Sequence, residues 1–308
     1  MRPTCPFGHP LCTTLAAVVM IVVMPACAGD PPDDQSAEGE AAAEGSAGDA
    51  GAVDDVGAVD DADETTLAAG VAATRAVDRA RVELQITVAG PGGPVALVHR
   101  AAFTDGGLRA EASSDMSQAA AALEAAGQQL EGDWSHPTGV VIDGDAVYSQ
   151  LGPMAEALEH EPDDWVRARI ADVTAAGAEN DALALALDPL GPLDLLYRPV
   201  GEVAVVGADD VRGVPTRHLR ATLDLTGAQA APPASFEARL VAAGVDALPV
   251  DVWLDDAGVV RRLLVALDEA GTMTTTFDVY DVDADVAVTP PAADEVVALR
   301  PPPADGTG

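Results

Sequence analysis

The chain of 308 residues contains no lysine, so its basic residues are all arginine. The 16 arginines stand against 51 acidic residues, which gives a formal net charge of −35 at pH 7. The phosphates of DNA and RNA repel such a chain, and this argues against nucleic-acid binding. Aromatic residues make up only 3% of the chain. A core built from Ala, Val and Leu fills space less completely, which permits an internal cavity.

Common catalytic motifs are also missing: the sequence has no G-x-S-x-G, no G-x-G-x-x-G, no P-loop and no H-E-x-x-H. Residues 281–285 (DVDAD) imitate the start of an EF-hand loop, but Val286 stands where the loop needs Gly and Ala292 where it needs Glu. We therefore predict no catalytic residues, no metal site and no cofactor, so that the protein is not an enzyme. The histidines are assigned surface or structural roles and the tryptophans packing roles. They are His99, His136, His160, His218, Trp134, Trp165 and Trp253.

The amino terminus has the pattern of a lipoprotein signal. Residues 15–23 form an apolar run of the size of a signal-peptide core, too short to span a bilayer. The run leads into Met-Pro-Ala-Cys at residues 24–27, which is typical of a lipobox, where a small residue precedes the cysteine that receives diacylglycerol. We predict a signal peptide over residues 1–26 and a lipid anchor on Cys27, in the outer leaflet of the cell membrane. The alternative is ordinary secretion with cleavage nearby.

Composition divides the rest of the chain into three parts. Residues 27–65 consist mainly of Asp, Glu, Ala and Gly with no basic residue, so they bury too little apolar surface to offset the entropy of ordering. We predict a disordered acidic tether there, a folded domain over residues 66–297, and a disordered Pro-rich tail over residues 298–308.

Alternation of apolar and polar residues with a period of two predicts most of the folded domain as strands. Gly258 has the conformational freedom to close a hairpin between two of them, and residues 207–210 (GADD) read as a second turn. The predicted strands cover residues 81–89, 95–104, 108–113, 139–142, 146–151, 165–170, 202–206, 214–225, 248–254, 259–267 and 272–282.

A few helices interrupt these strands. Thr66 is the expected cap of the first helix, and Ser114 or Asp115 that of the second. Residues 180–196 are almost wholly apolar and are broken by prolines and a glycine, which suits two short helical turns that either line a cavity or plug the core. The pattern predicts an α+β fold in which a strongly curved antiparallel sheet, an open half-barrel, carries helices on its concave face. The two capped helices are predicted over residues 66–78 and 116–130, and a further helix over residues 236–243.

Four segments follow the lipobox and the polar tether in an order that is shared with a family of lipoproteins. They are ARVELQITV at residues 80–88, DPLGPLDLL at 188–196, GVPTRHLRATLDL at 213–225 and PVDVWLDDAGVVRRL at 249–263. This order resembles actinobacterial cell-envelope lipoproteins of the LppX/LprG type, which are related in fold to LolA and LolB. The resemblance covers residues 67–297. It implies a half-barrel whose helices enclose an apolar cavity for acyl chains, and no catalytic residues.

A concave face lined by Val, Leu and Ala leaves apolar volume wherever the covering helices do not fill the gap. Acyl chains would occupy that volume, each buried methylene contributing about 0.8 kcal/mol. The predicted cavity walls are Leu84, Ile86, Leu219, Leu223, Val252, Leu254, Leu263 and Val265. The predicted lid residues are Leu123, Leu190, Leu193 and Leu196.

We therefore expect a membrane-anchored extracytoplasmic lipoprotein that binds the acyl chains of a lipid or lipoglycan and carries or presents it. The alternative is an anchored sensor or interaction protein of the same fold that binds a protein partner and has no lipid cavity.

Overall fold

The computed structural model describes residues 64–90, 93–128, 130, 132–175, 181–198, 201–226, 245–267 and 273–298. The signal peptide, Cys27, almost all of the acidic tether, the helix predicted at residues 236–243 and the tail from residue 299 lie outside the described residues.

The described strands form one sheet of 12 strands in the order β12-β6-β5-β4-β3-β2-β1-β11-β10-β9-β8-β7. Two antiparallel meanders, β1 to β6 and β7 to β11, are joined by the pairing of β1 with β11. The strands are β1 (Ala80–Gly90), β2 (Gly93–Thr104), β3 (Arg109–Asp115), β4 (Thr138–Asp143), β5 (Ala146–Gln150), β6 (Trp165–Arg169), β7 (Ala204–Val211), β8 (Val214–Asp224), β9 (Ala247–Leu254), β10 (Val260–Leu267), β11 (Met273–Tyr280) and β12 (Val296–Val297).

The sheet is open, because its two end strands, β12 and β7, have no pairing with each other in this order. The predicted α+β fold with an open half-barrel is therefore confirmed. One pairing differs from the prediction: β12 runs parallel to β6, with Val296 opposite Trp165. This makes the sheet mixed rather than purely antiparallel.

Within the described residues, four α-helices and a seven-residue 3₁₀ helix accompany the sheet, along with three short 3₁₀ turns at Asp105–Gly107, Gly152–Met154 and Glu156–Leu158. Leu67 and Val71 of the first helix are fully buried, as the sequence predicted. The helix α4 packs on β2, β3 and β4, while α1 packs on β10 and on the 3₁₀ helix. The helices are α1 (Glu64–Arg75), α2 (Ser117–Ala125), α3 (Ile170–Ala175), α4 (Asp181–Leu187) and the 3₁₀ helix (Gly191–Tyr197).

Two helix boundaries differ from the sequence prediction. The first helix begins at Glu64 rather than residue 66, so Thr66 lies inside it and is not its cap. The second helix ends at Ala125 rather than residue 130. It ends there because Gly127 takes a φ of +83° and the N–H of Gln128 donates back to the carbonyl of Leu123 at 3.0 Å, a Schellman motif.

The start of α2 differs from both predicted caps. Asp115 Oδ1 accepts hydrogen bonds from the N–H of Ser117 at 3.1 Å and from its hydroxyl at 2.7 Å. Ser114 instead bonds His99 Nδ1 at 2.7 Å. Met116 is at the N-cap position and makes no side-chain capping bond, so neither predicted residue is the cap; Asp115 bonds the first helical residue from the position before the cap.

Two strand boundaries were predicted wrongly for reasons of tertiary structure. Residues 207–210 were predicted as a turn, but they continue β7 past a bulge between Val205 and Gly207. The actual turn is formed by Arg212 and Gly213, which both have positive φ. Ile170 was predicted to end a strand, but it begins α3.

A second bulge fastens α1 to the sheet. The register of β9 and β10 shifts between Val260 and Arg262. Thr74, a fully buried residue of α1, accepts a hydrogen bond from the N–H of Val260 at 2.8 Å and donates one to the carbonyl of Gly70 at 2.7 Å. A single hydroxyl thus satisfies a buried backbone N–H and holds the helix against β10.

The substitution Thr74→Val tests this attachment. Valine has almost the same shape but leaves the N–H of Val260 buried without a partner, so we expect the free energy of unfolding to fall by about 1–3 kcal/mol. Urea denaturation measures the change. Thr222→Val, at an exposed position of β8, is the matched control and should change the stability by less than about 0.5 kcal/mol. Equal effects of the two substitutions would show that the Thr74 hydrogen bonds do not hold the helix.

Candidate functional site: the covered face of the sheet

The helices α1 and α4 and the 3₁₀ helix cover one face of the sheet, which we call the covered face. Cross-strand partners share a face, so the register determines which side chains lie there. Val252 stands opposite both Leu263 and Leu219, and Leu263 stands opposite Phe277. Six of the predicted wall residues lie on this face and are at most 4% exposed: Leu219, Leu223, Val252, Leu254, Leu263 and Val265.

The predicted lid residues are divided between two places. Leu190, Leu193 and Leu196 lie in the segment around the 3₁₀ helix and belong to the same buried cluster as the wall residues. Leu123 is half-buried on α2 and is not a member of that cluster. The structure therefore brings three of the four lid candidates against the wall.

The two remaining wall candidates are half-buried. Leu84 packs against the buried cluster, and Ile86 lies two residues further along β1 on the same face. Exposure thus increases along β1 from Val82, which is fully buried, towards the β1–β2 turn.

The covered face ends in a group of half-buried apolar side chains, which we call the open apolar patch. Val88 stands opposite Met273 on one side and Val95 on the other, and Met273 stands opposite Leu267. By contrast, Phe277 further along β11 is only 1% exposed. The patch consists of Ile86, Val88, Val95, Leu267 and Met273.

The helical cover is attached at the opposite end of β10 from this patch. The Thr74 hydroxyl holds α1 at Val260, and Leu267 lies seven residues further along the strand, roughly 23 Å away. Arg75 ties α1 to the 3₁₀ segment through Asp194 at 2.6 Å and Asp188 at 3.4 Å. These contacts hold α1 at the Val260 end of β10, while the side chains of the open apolar patch at the other end are half-buried.

On the side of β2, α2 borders the open apolar patch. Its Gln118 Oε1 accepts a hydrogen bond from the N–H of Ala96 at 3.4 Å, next to Val95. Sequence reasoning missed most of this patch, because the strand alternation identifies Val88, Leu267 and Met273 as apolar but not as neighbours.

The candidate residues line little of the open surface space. Two grooves of about 430 and 550 Å³ lie on the described part of the chain. Of the predicted cavity residues, only Leu254 lines either of these two grooves. The apolar cavity for acyl chains thus stays a prediction.

The opposite, outer face carries a continuous row of polar and aromatic side chains. Adjacent members stand opposite one another in the register of five strand pairs. The rings of His218 and Trp253 stack with centroids 4.2 Å apart, and Asp251 bonds His218 Nε2 at 2.6 Å. The prediction that these two rings have packing roles agrees with these contacts. In order, the row is Arg100, Glu83, Asp278, Arg262, Trp253 and His218.

Asp278 is the centre of the row and is only 3% exposed. Arg262 donates two hydrogen bonds to its carboxylate at 2.7 and 2.8 Å. Arg212, from the β7–β8 turn, donates a third at 2.8 Å and also reaches Glu83 at 2.6 Å. Burial raises the pKa of Asp278, but the hydrogen bonds and charges of Arg262 and Arg212 outweigh this effect, so the pKa lies below its ordinary value.

These residues line the 430 Å³ groove together with Gln85, Leu264 and Thr276. Because the arginines and carboxylates of the groove are paired with one another, the groove offers no unpaired charge to a ligand. Within the described residues, no group of three or more His, Cys, Asp or Glu side chains could hold a metal ion. The acids of the imitated EF-hand loop are exposed, and Asp281 pairs with Arg81 at 2.7 Å.

No helix in the described ranges is both long and apolar enough to cross a membrane.

Comparison with known proteins finds similarity but no family assignment. No protein-family model matches the chain. A 31.2 kDa protein encoded in the rplA–rplJ intergenic region of Streptomyces griseus is 30% identical over 173 residues. The match covers 51% of this chain and 54% of the relative, so the chain spans about half the length of the curated relative it matches.

Among solved structures, LprF from Mycobacterium bovis is similar at 14% identity and a TM-score of 0.44, over 74% of this chain and 96% of LprF. The lipoprotein LppX from Mycobacterium tuberculosis is similar at 14% identity and a TM-score of 0.40, over 74% of this chain and all of LppX (100%). The MucA/MucB complex of Pseudomonas aeruginosa matches at 16% identity and a TM-score of 0.30, over 75% of this chain and 59% of the matched chain.

The resemblance to the LppX type that the sequence indicated is therefore found again among solved structures. At these identities and TM-scores the likeness carries no conclusion about function, and the fold assignment rests on the sheet order of this chain.

The lowered pKa of Asp278 predicts a pH dependence of stability. A carboxylate with a depressed pKa in the folded state stabilises the fold above its ordinary pKa of about 4, and this contribution is lost as the pH falls through the lowered value. We expect Asp278→Asn to reduce the free energy of unfolding by about 1–3 kcal/mol at pH 7, and the difference from the unmodified chain to shrink below about pH 4.

Urea denaturation between pH 3 and pH 7 measures both effects. Asp285→Asn, at an exposed position after β11, is the control and should leave the stability profile unchanged. A difference that does not vary with pH would contradict the role assigned to the Asp278 carboxylate.

Proposed function

We propose that this protein is a membrane-anchored extracytoplasmic lipoprotein that binds the acyl chains of a lipid or lipoglycan against the covered face of its sheet and carries or presents that lipid. The observation that carries the proposal is the open apolar patch. It continues the buried core of the covered face into side chains that are only half-buried.

Half-buried apolar side chains in a continuous group favour a hydrocarbon ligand. The patch joins Val88, Val95, Met273 and Leu267 across four neighbouring strands, and its members are apolar on every strand. An acyl chain lying there would gain about 0.8 kcal/mol for each methylene removed from water. The interaction has no direction, so it would accept chains of related lengths.

The proposed location rests on the amino terminus of the sequence. An acylated Cys27 would hold the protein at the outer leaflet of the membrane, and an acidic tether would extend between the anchor and the folded domain because like charges repel. Together these two features would keep the folded domain near membrane lipids.

One observation favours the alternative, an anchored sensor or interaction protein that binds a protein partner. Leu190, Leu193 and Leu196 are at most 6% exposed and belong to the same cluster as the wall residues. In this interpretation the cover and the sheet form a filled core, and the protein binds no lipid. Lipid binding distinguishes the two functions.

Val88→Glu tests the site within the open apolar patch. A carboxylate there would have to lose water on contact with an acyl chain, so we expect the affinity for a diacylglycerol carrying one fluorescent chain to fall about tenfold or more, or 1.4 kcal/mol. The full chain with Cys27→Ala is used, so that no covalent lipid contributes to the signal.

Thr87→Glu is the matched control, because Thr87 is the neighbouring residue of β1 on the opposite face; it should leave the affinity unchanged. Native mass spectrometry of the same protein should show bound lipid that dissociates on activation. A single lipid-free mass, together with no uptake of the fluorescent diacylglycerol, would overturn the carrier proposal and favour the protein-binding alternative.

The lipid anchor has its own test. Labelled palmitate supplied to producing cells should appear on the unmodified protein and be absent from Cys27→Ala, because the thiol is the acceptor of the diacylglyceryl group. The same cells should release the variant from the membrane fraction. Equal labelling of both proteins would show that Cys27 is not the lipidated residue.

A further inference from the structure

Thr275 is a polar residue in the apolar surroundings of the covered face. It stands opposite Ile86 of the open apolar patch on one side and opposite Val265 of the buried cluster on the other. It lies two residues from Met273 on the same strand face. Thr275 is therefore located at the inner border of the patch, where the patch meets the buried core.

The hydroxyl of Thr275 is buried and has no hydrogen-bond partner in the described part of the chain. The residue as a whole is 8% exposed. The hydroxyls of two other buried threonines are bonded: Thr74 donates to Gly70 at 2.7 Å, and Thr216 donates to Asp209 at 3.2 Å. A buried hydroxyl without a partner lowers stability, and such groups are rare in folded proteins. It is therefore a position where a ligand atom would be stabilised.

The surroundings limit the chemistry of that ligand atom. A hydroxyl can donate its proton to an oxygen that accepts hydrogen bonds. The covered-face positions of β1, β2, β10 and β11 contain no Arg, Asp or Glu, and their one histidine, His99, stands opposite Leu84 and is bonded to Ser114 at 2.7 Å. No arginine there would compensate an ionised carboxylate. A neutral acceptor attached to a hydrocarbon chain fits these conditions, and the carbonyl oxygen of an ester is such a group.

We propose that the Thr275 hydroxyl donates a hydrogen bond to the ester carbonyl of a bound acyl chain, so that the protein selects acyl esters over alkyl ethers and plain hydrocarbons. The proposal rests on the proposed lipid-binding function and adds the chemical class of its ligand. The chain of the lipid would lie along the open apolar patch, and its ester group would lie at the border with the core.

Competition against the fluorescent diacylglycerol tests this selectivity. The competitors are a diacylglycerol and the dialkyl ether of the same chain length, and the protein is the full chain with Cys27→Ala. We expect the diester to bind about 5- to 10-fold more tightly than the diether, because the ether leaves the Thr275 hydroxyl without a good acceptor.

Three variants identify the group responsible. Thr275→Val should weaken the diester to the level of the diether, while Thr275→Ser keeps a hydroxyl and should keep the preference. Thr276→Val makes the same change on the next residue of β11, which lines the groove on the outer face, and should have no effect. A preference that survives in Thr275→Val would overturn the proposal.

The lipid-free protein provides an independent measurement. Since Thr275→Val removes an unpartnered buried hydroxyl, we expect its thermal midpoint to rise by about 2–4 °C. A lower midpoint would show that the hydroxyl is already bonded, for example to a buried water, and would overturn the inference. If both lipids bind the unmodified chain equally, this inference fails while lipid binding stands; if neither binds, the proposed function itself fails.

Discussion

The pairing of β1 with β11 is the constraint on which the rest of the structure depends. It joins residues 81–88 to residues 273–280 and so makes one sheet from two meanders that are far apart in the chain. On one side of this pair Leu84 stands opposite Phe277, and on the other Glu83 stands opposite Asp278. A slip of one residue would move Phe277 to the outer face and Asp278 into the core, so the hydrophobic core and the charged row support the same register.

The two faces of the sheet differ in chemistry: the outer face is charged and the covered face is apolar. On the outer face, Asp278 connects β10, β11 and the β7–β8 turn through Arg262 and Arg212. On the covered face, α1 is held to β10 where the bulge at Val260 gives its N–H to Thr74. The side chains of the open apolar patch, by contrast, are only half-buried. This asymmetry is the physical basis for placing an acyl-chain site at the open apolar patch.

Local patterns predicted the strands well and their partners poorly. Alternation located β1, β8, β9 and β10 to within two residues, because a half-buried strand shows its two faces directly in the sequence. The turn expected at residues 207–210 is instead a bulged strand, because the bulge at Gly207 and the pairing with β8 outweigh local turn propensity. Most wall candidates lie together, but Val88, Met273 and Thr275 became neighbours only through the β1–β11 pairing.

The sequence by itself determined the charge of the chain, the alternation of its strands and the pattern of its amino terminus, because each depends on residues that are close together along the chain. Only the tertiary structure decided which apolar side chains form the core and which remain half-buried at its border. It also decided that the hydroxyl of Thr275 lies at that border with no hydrogen-bond partner among the residues that the structure describes. These properties depend on the register between strands nearly 200 residues apart, and no local pattern encodes that register.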